Sequence, residues 1–253
     1  MTVLPLARRR SRGIALVGLM CVGLSACGGG GEDPDAGTNG LGKLTAPKIQ
    51  SRTVKAAQGA KAVRLSGTVV SNGHSYKIDM RLKDEGGTGS VTTEGRTFRL
   101  LRVGEHLFLK ADAGFWTHQD AKGSGATSHA GTAAAADKLD GKYVKVPVGD
   151  PAYKRLSGFT VKGALLDGLL TLHGKVAKGD RGSAGGLRTV ELTGDKGAGG
   201  TLDVSLEGSP YPLRLERAGG AGTLQLSDWG KDFTLREPAG SETVDYGAQL
   251  PES

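Results

Sequence analysis

Apolar and charged residues alternate without interruption over residues 76–83. Tyr76, Ile78, Met80 and Leu82 fall on one side, Lys77, Asp79, Arg81 and Lys83 on the other. Successive side chains of a strand point to opposite faces, so this period of two predicts a strand with one buried and one solvated face. The preceding stretch, 63–71, alternates in the same way, with Val63, Leu65 and Gly67 on one side. Asn72-Gly73 joins the two runs, and this dipeptide is among the strongest short hairpin signals because a type I′ turn needs positive φ at both central positions. Strand-like runs continue at 88–93, 97–103, 106–111 and 115–118, separated by turns such as Glu94-Gly95 and Gly104-Glu105. That is the spacing of an antiparallel meander.

Two stretches carry a helical pattern instead. Residues 48–57 read as a short helix with Thr45 as N-cap, Pro47 in its first turn and a weakening at Gly59. After a short strand at 142–147, Asp150 followed by Pro151 marks a second helical start. Apolar residues from Leu156 to Leu170 extend it, and Gly158 and Gly163 are expected to break it into pieces. Residues 119–136 (QDAKGSGATSHAGTAAAA) have almost nothing to bury and read as a loop. Strands are expected again at 172–177, 187–192, 201–206, 211–215, 223–226 and 233–235, with Leu202, Val204 and Leu206 sharing a face. The pattern is that of an α+β chain with eleven or twelve short strands and one or two helices, and 43 glycines among 253 residues suit that many tight turns.

The first 26 residues stand outside this pattern. Arg8, Arg9, Arg10 and Arg12 precede an apolar run at 14–24, shorter than the roughly 20 residues a spanning helix needs, and the combination reads as a secretory signal. The run ends in Leu24-Ser25-Ala26-Cys27, which resembles the bacterial lipobox, where the cysteine takes a diacylglyceryl group and becomes the new N-terminus. Arg9-Arg10 lacks the context of a twin-arginine signal, so export by the general route is the expectation. Cys21 lies in the segment that is removed and Cys27 is the lipidation site, which leaves the mature chain without a free thiol or a disulfide. Residues 27–43 (CGGGGEDPDAGTNGLGK) read as a Gly-rich flexible tether with an end-to-end distance of about 20 Å. Residues 44–253 then form the folded domain, anchored by lipid on the outer face of the cell membrane.

Charge changes little in this picture. Four of the 33 basic residues and none of the 26 acids precede Cys27, so the net charge of +7 falls to +3 in the mature chain. Lys and Arg look scattered along the sequence, without the basic footprint of a nucleic-acid binder. A mild attraction to anionic headgroups is what this charge supports.

The usual chemical signatures are missing. His74, His106, His118, His129 and His173 are dispersed, with no i,i+4 pair and no cysteine as co-ligand. There is no G-x-S-x-G elbow and no phosphate-cradling loop. Asp84-Glu85 beside Gly86-Gly87 reads as a solvated turn and not as an acid/base pair. The sequence gives no support for an enzyme and calls for no cofactor.

Four segments carry a resemblance to a known family. They are Val63-Arg64-Leu65-Ser66-Gly67; Leu107-Phe108-Leu109-Lys110 followed by Phe115-Trp116; Leu139-Asp140-Gly141-Lys142-Tyr143-Val144; and Tyr211-Pro212-Leu213-Arg214-Leu215 leading to Leu226-Ser227-Asp228-Trp229-Gly230 and Leu235-Arg236-Glu237-Pro238. Together with the lipobox they make the chain resemble the LppX/LprG group of actinobacterial lipoproteins, related in shape to the LolA and LolB carriers. The alanine-rich insertion and the low aromatic content depart from it. The resemblance implies a strongly curved antiparallel sheet, a half-barrel of about eleven strands, wrapped partway around one or two helical segments with an apolar cavity between them. It implies a lipid or acylated ligand, with Tyr76, Ile78, Met80, Leu82, Phe98, Leu100, Leu165, Leu169, Leu202, Val204 and Leu206 as the residues expected to line the cavity. The same fold also serves sensor lipoproteins that dock on a membrane protein, which is the alternative expectation.

Overall fold

Twelve strands of the described residues join one sheet. The computed structural model describes residues 34–71, 73–120 and 136–245. The signal segment, Cys27, the start of the tether, Asn72 and most of the 119–136 insertion lie outside the described residues. Met1–Pro34 and Asp35–Ser253 separate into two units, and the second holds all the strands.

The strands are β1 (Ala62–Ser71), β2 (His74–Lys83), β3 (Gly86–Thr93), β4 (Arg96–Val103), β5 (His106–Ala111), β6 (Tyr143–Val146), β7 (Val176–Ala184), β8 (Leu187–Gly194), β9 (Thr201–Ser205), β10 (Pro212–Glu216), β11 (Gly222–Ser227) and β12 (Thr243–Asp245). Their order is β12-β6-β5-β4-β3-β2-β1-β11-β10-β9-β8-β7. Every neighbouring pair is antiparallel except β12 with β6, and the sheet is open at β12 and β7. The α+β class and the curved, mostly antiparallel sheet expected from the sequence are therefore present, with twelve strands. The backbones of β1 and β11 approach closely at Gly67. Gly67 there has φ 145°, and a Cβ on it would meet the Thr223 carbonyl oxygen at 2.2 Å, so no other residue fits.

Helices α1 (Ala46–Gly59), α2 (Ala113–Asp120), α3 (Pro151–Ser157) and α4 (Lys162–Leu170) punctuate the strands. Asp150 caps α3 by accepting a hydrogen bond from the Ala152 amide at 2.7 Å, with Pro151 in the first turn, as its sequence predicts. Thr45 precedes α1 in extended conformation but makes no side-chain cap. No helix of the described residues is long and apolar enough to cross a membrane.

Several local expectations need correction. Residues 115–118 belong to α2, because Asp112 accepts a hydrogen bond from the Phe115 amide at 2.8 Å and starts a helical turn. Gly163 lies inside α4, and the break falls at residues 158–161. The strand expected at 172–177 begins at Val176 and runs to Ala184 as an exposed, polar edge, where no apolar period marks its limits. Residues 233–235 form no strand. They belong to a strap that crosses one end of the sheet: the Gly230 amide bonds Ala62, Asp232 pairs with Lys83, Phe233 lies under Arg81, and Glu237 meets His106, before β12 pairs with β6. The tether, finally, is docked from Asp35 onward. Asp35 pairs with Arg181 at 2.7 Å, Arg188 donates to the Ala36 and Gly37 carbonyls, Asn39 donates to Ser205 and Gly208, and Leu41 is buried. Side-chain bonds to backbone carbonyls hold it, and composition does not report them.

Candidate functional site

Strand registers align one apolar row across the concave face of the sheet. Leu192, Leu202, Leu215, Leu224, Gly67, Ile78, Val91, Phe98 and Ala111 stand opposite one another in turn, from β8 to β5. A second, polar row faces the other way through Glu191, Asp203, Arg214, Gln225, Ser66, Asp79, Ser90, Arg99 and Lys110 over the same strands. A one-residue shift at any strand would exchange the two faces, so this alternation fixes the register.

All eleven residues expected to line a cavity meet on the apolar side. Ile78, Met80, Leu82, Phe98, Leu100, Leu169, Leu202, Val204 and Leu206 are buried in one cluster, and Tyr76 and Leu165 are half-buried against it. Ile49 and Ala57 of α1 and Leu166, Leu169 and Leu170 of α4 cover this face. Helix α3, by contrast, buries no residue. Beyond it Phe159 reaches Tyr76 of β2, ring centroids 6.3 Å apart. Leu156 and Leu165 add further half-buried apolar surface on the same α3–α4 segment.

Polar pins fix that segment at its middle. Arg102 of β4 donates from Nε to Thr160 Oγ1 at 3.1 Å and from Nη2 to the Thr160 carbonyl at 3.0 Å. Lys162 donates from Nζ to the Gln58 and Ala60 carbonyls and pairs with Asp84 Oδ1 at 2.9 Å. Sequence reasoning does not single out Arg102, Thr160 or Lys162; a lysine directly before the apolar run of α4 is the available signal, and Asp84 reads in sequence as part of a solvated turn. On α2, Phe115 packs on Phe98 with centroids 5.5 Å apart and on Trp116 at 5.2 Å. Trp116 Nε1 and Thr53 Oγ1 are buried polar atoms with no hydrogen-bond partner among the described residues.

The convex side is a polar surface that carries ion pairs, among them the diagonal pair of Arg64 on β1 with Asp79 on β2. Arg64 holds Asp79 with two hydrogen bonds, 2.8 and 2.7 Å, which keep the Asp79 carboxyl below its ordinary range. Burial pushes Glu191 the other way, and the neighbouring carboxylates of Asp203, Asp180 and Glu216 reinforce it. Asp203 is likewise raised by burial, against the pull of Arg214. His74 and His106 pair with Glu94 and Glu237 at 2.9 and 2.6 Å, and His173 is exposed. No group of three or more metal-ligating side chains occurs among the described residues. A separate cleft of about 360 Å³ lies between the β8–β9 and β10–β11 turns; it is lined largely by glycine, with Glu216 and Arg217, and lies apart from the apolar face.

No family model matches the chain, and no curated protein matches it. Among solved structures, an uncharacterized conserved protein from Thermus thermophilus aligns over 79% of this chain and 98% of its own, at 11% identity and a TM-score of 0.34. That likeness is too distant to inform function.

Proposed function

We propose that the protein is a lipid-anchored envelope lipoprotein that binds a lipid or acylated molecule between the concave face of its sheet and the α3–α4 segment, for transport or presentation. The observation that carries this reading is the uninterrupted apolar row from β8 to β5 beneath a cover whose first helix buries nothing. A sheet face that apolar needs a layer over it; α4 is held by buried Leu166, Leu169 and Leu170 as well as by polar pins, while α3, which buries no residue, is the part of the cover that can lift while the sheet stays intact. An acyl chain is the guest whose chemistry suits the row. Thr53 and Trp116 offer unpaired hydrogen-bonding atoms in the same interior, which suits a guest with a polar ester or hydroxyl group. The lipobox-like Cys27 and the resemblance to the LppX/LprG lipoproteins point in the same direction, toward the outer face of the cell membrane.

Native mass spectrometry of the protein purified from its own host tests this reading. Expected are adducts with the mass of a lipid in addition to the acylation at Cys27. A single mass, with no adduct and no uptake of added fluorescent fatty acid, would rule it out.

A further inference from the structure

Three cations gather on one side of α1, although they look scattered in sequence. Lys48, Arg52 and Lys55 are all exposed, and at 3.6 residues per turn they fall within about 60° of one another on the helix circumference. Ile49, Thr53 and Ala57 occupy the opposite, buried side. The helix contains no acidic residue, and none of the three cations has an ion pair among the described residues. The helix therefore presents a solvated basic stripe about 10 Å long, which no ion pair among the described residues neutralises.

The docked tether says what lies near it. Because Asp35 is fastened to Arg181, and its carboxylate lies against Gly42 just before α1, the chain enters the domain beside the N-terminal end of this helix. The eight peptide steps from Cys27 to Asp35 can span at most about 28 Å when fully extended. A Gly-rich chain of that length has a typical reach of about 15 Å. A lipid on Cys27 thus keeps the α1 end of the domain close to the headgroups, within reach of the field of an anionic leaflet at modest extension.

We infer that the Lys48/Arg52/Lys55 stripe docks on anionic phospholipid headgroups and sets the orientation of the anchored domain, with α1 toward the membrane. This rests on the lipid-anchor reading of Cys27. Charge complementarity selects the occupant: each cation brought to an anionic surface adds favourably, and the interaction weakens as salt shortens the Debye length. The orientation also places the cover of the apolar face on the membrane side, since α1 and α4 pack together.

The test uses the full, processed chain carrying Ser51→Cys, an exposed position beside the stripe that supplies the only thiol besides Cys27 after signal removal. A dye on that thiol is read against vesicles containing headgroup-quencher lipid, made of phosphatidylcholine alone or phosphatidylcholine mixed with phosphatidylglycerol. Strong quenching is expected only with phosphatidylglycerol, lost in high salt and in Lys48→Glu/Arg52→Glu/Lys55→Glu, and kept in Lys48→Arg/Lys55→Arg. A matched thermal melt of the charge-reversed variant shows whether it is folded. If the chain floats with the vesicles but quenching is the same in both lipid mixtures, or survives charge reversal, the docking proposal is wrong and the stripe serves another partner or none. If the processed chain does not float with vesicles at all, the lipid-anchor reading fails and this proposal goes with it.

Discussion

Lys162 Nζ stands 2.9 Å from Asp84 Oδ1 and joins the start of α4 to the turn between β2 and β3. The lysine is almost wholly buried, its side chain 2% exposed, whereas that of Asp84 is 76% exposed. Its other hydrogen bonds go to the Gln58 and Ala60 carbonyls at the end of α1. One side chain therefore fastens the cover of the apolar face to both neighbouring elements.

Lys162→Met keeps the length of the side chain but leaves those carbonyls without their donor, at a cost of about 1–3 kcal/mol. Asp84→Asn, on the exposed partner, is expected to cost less than about 1 kcal/mol. Urea unfolding measures both. In the proposed function the lysine also restrains opening, so Lys162→Met should take up a fluorescent fatty acid faster than wild type in stopped flow. Equal uptake rates in a folded variant would remove Lys162 from that role.

The carboxylates of the convex face predict opposite responses to pH. Glu191 binds its proton more tightly in the folded chain than in the unfolded one, because burial and the neighbouring acids oppose its charge. Its contribution to stability is present below the unfolded value and is lost as pH rises through the raised folded one. Glu191→Gln should therefore melt higher than wild type at neutral pH, with the gap closing as the pH falls below the ordinary glutamate range. Asp79, lowered by Arg64, contributes above its unfolded value and loses that contribution as pH falls through the lowered one. Asp79→Asn should melt lower than wild type at neutral pH and converge with it in acid. Thermal melts across the acid range check both; parallel curves for either variant would contradict the assignment.

Cys27 is expected to be acylated in cells. Each methylene buried in a bilayer contributes about 0.8 kcal/mol, so one chain binds reversibly and two or more hold firmly. No cysteine follows Cys27, so Cys27→Ala should leave the folded domain intact and abolish both palmitate incorporation and stable membrane association of the processed form. Fractionation with metabolic palmitate labelling decides it: wild type that takes no label and is found free in the medium is not a lipoprotein.

The concave face was legible in the sequence where a strand alternates on its own, as β2 does, and pairs such as Leu65 with Met80 and Met80 with Gly89 bring in strands such as the glycine-rich β3 that carry no such period. The edges were not. Strand β7 is exposed along most of its length and β12 has three residues, so neither carries a hydrophobic period. Helix α2 reads as a strand from its aromatic residues, while the cap on Asp112 decides otherwise. The docked tether and the pins at Arg102 and Lys162 depend on backbone carbonyls far away in sequence, which residue types alone do not reveal.

Photo-crosslinking with a diazirine fatty acid, followed by peptide mapping of the adducts, tests most directly whether the apolar row is a binding surface. Adducts are expected on the concave side, at Ile78, Met80, Leu100 and Leu202 and on Phe159 of the cover, and competed away by unlabelled fatty acid. Adducts confined to convex-face residues such as Arg99 and Gln225, or none above the level of a denatured control, would contradict lipid binding between the sheet and its helices.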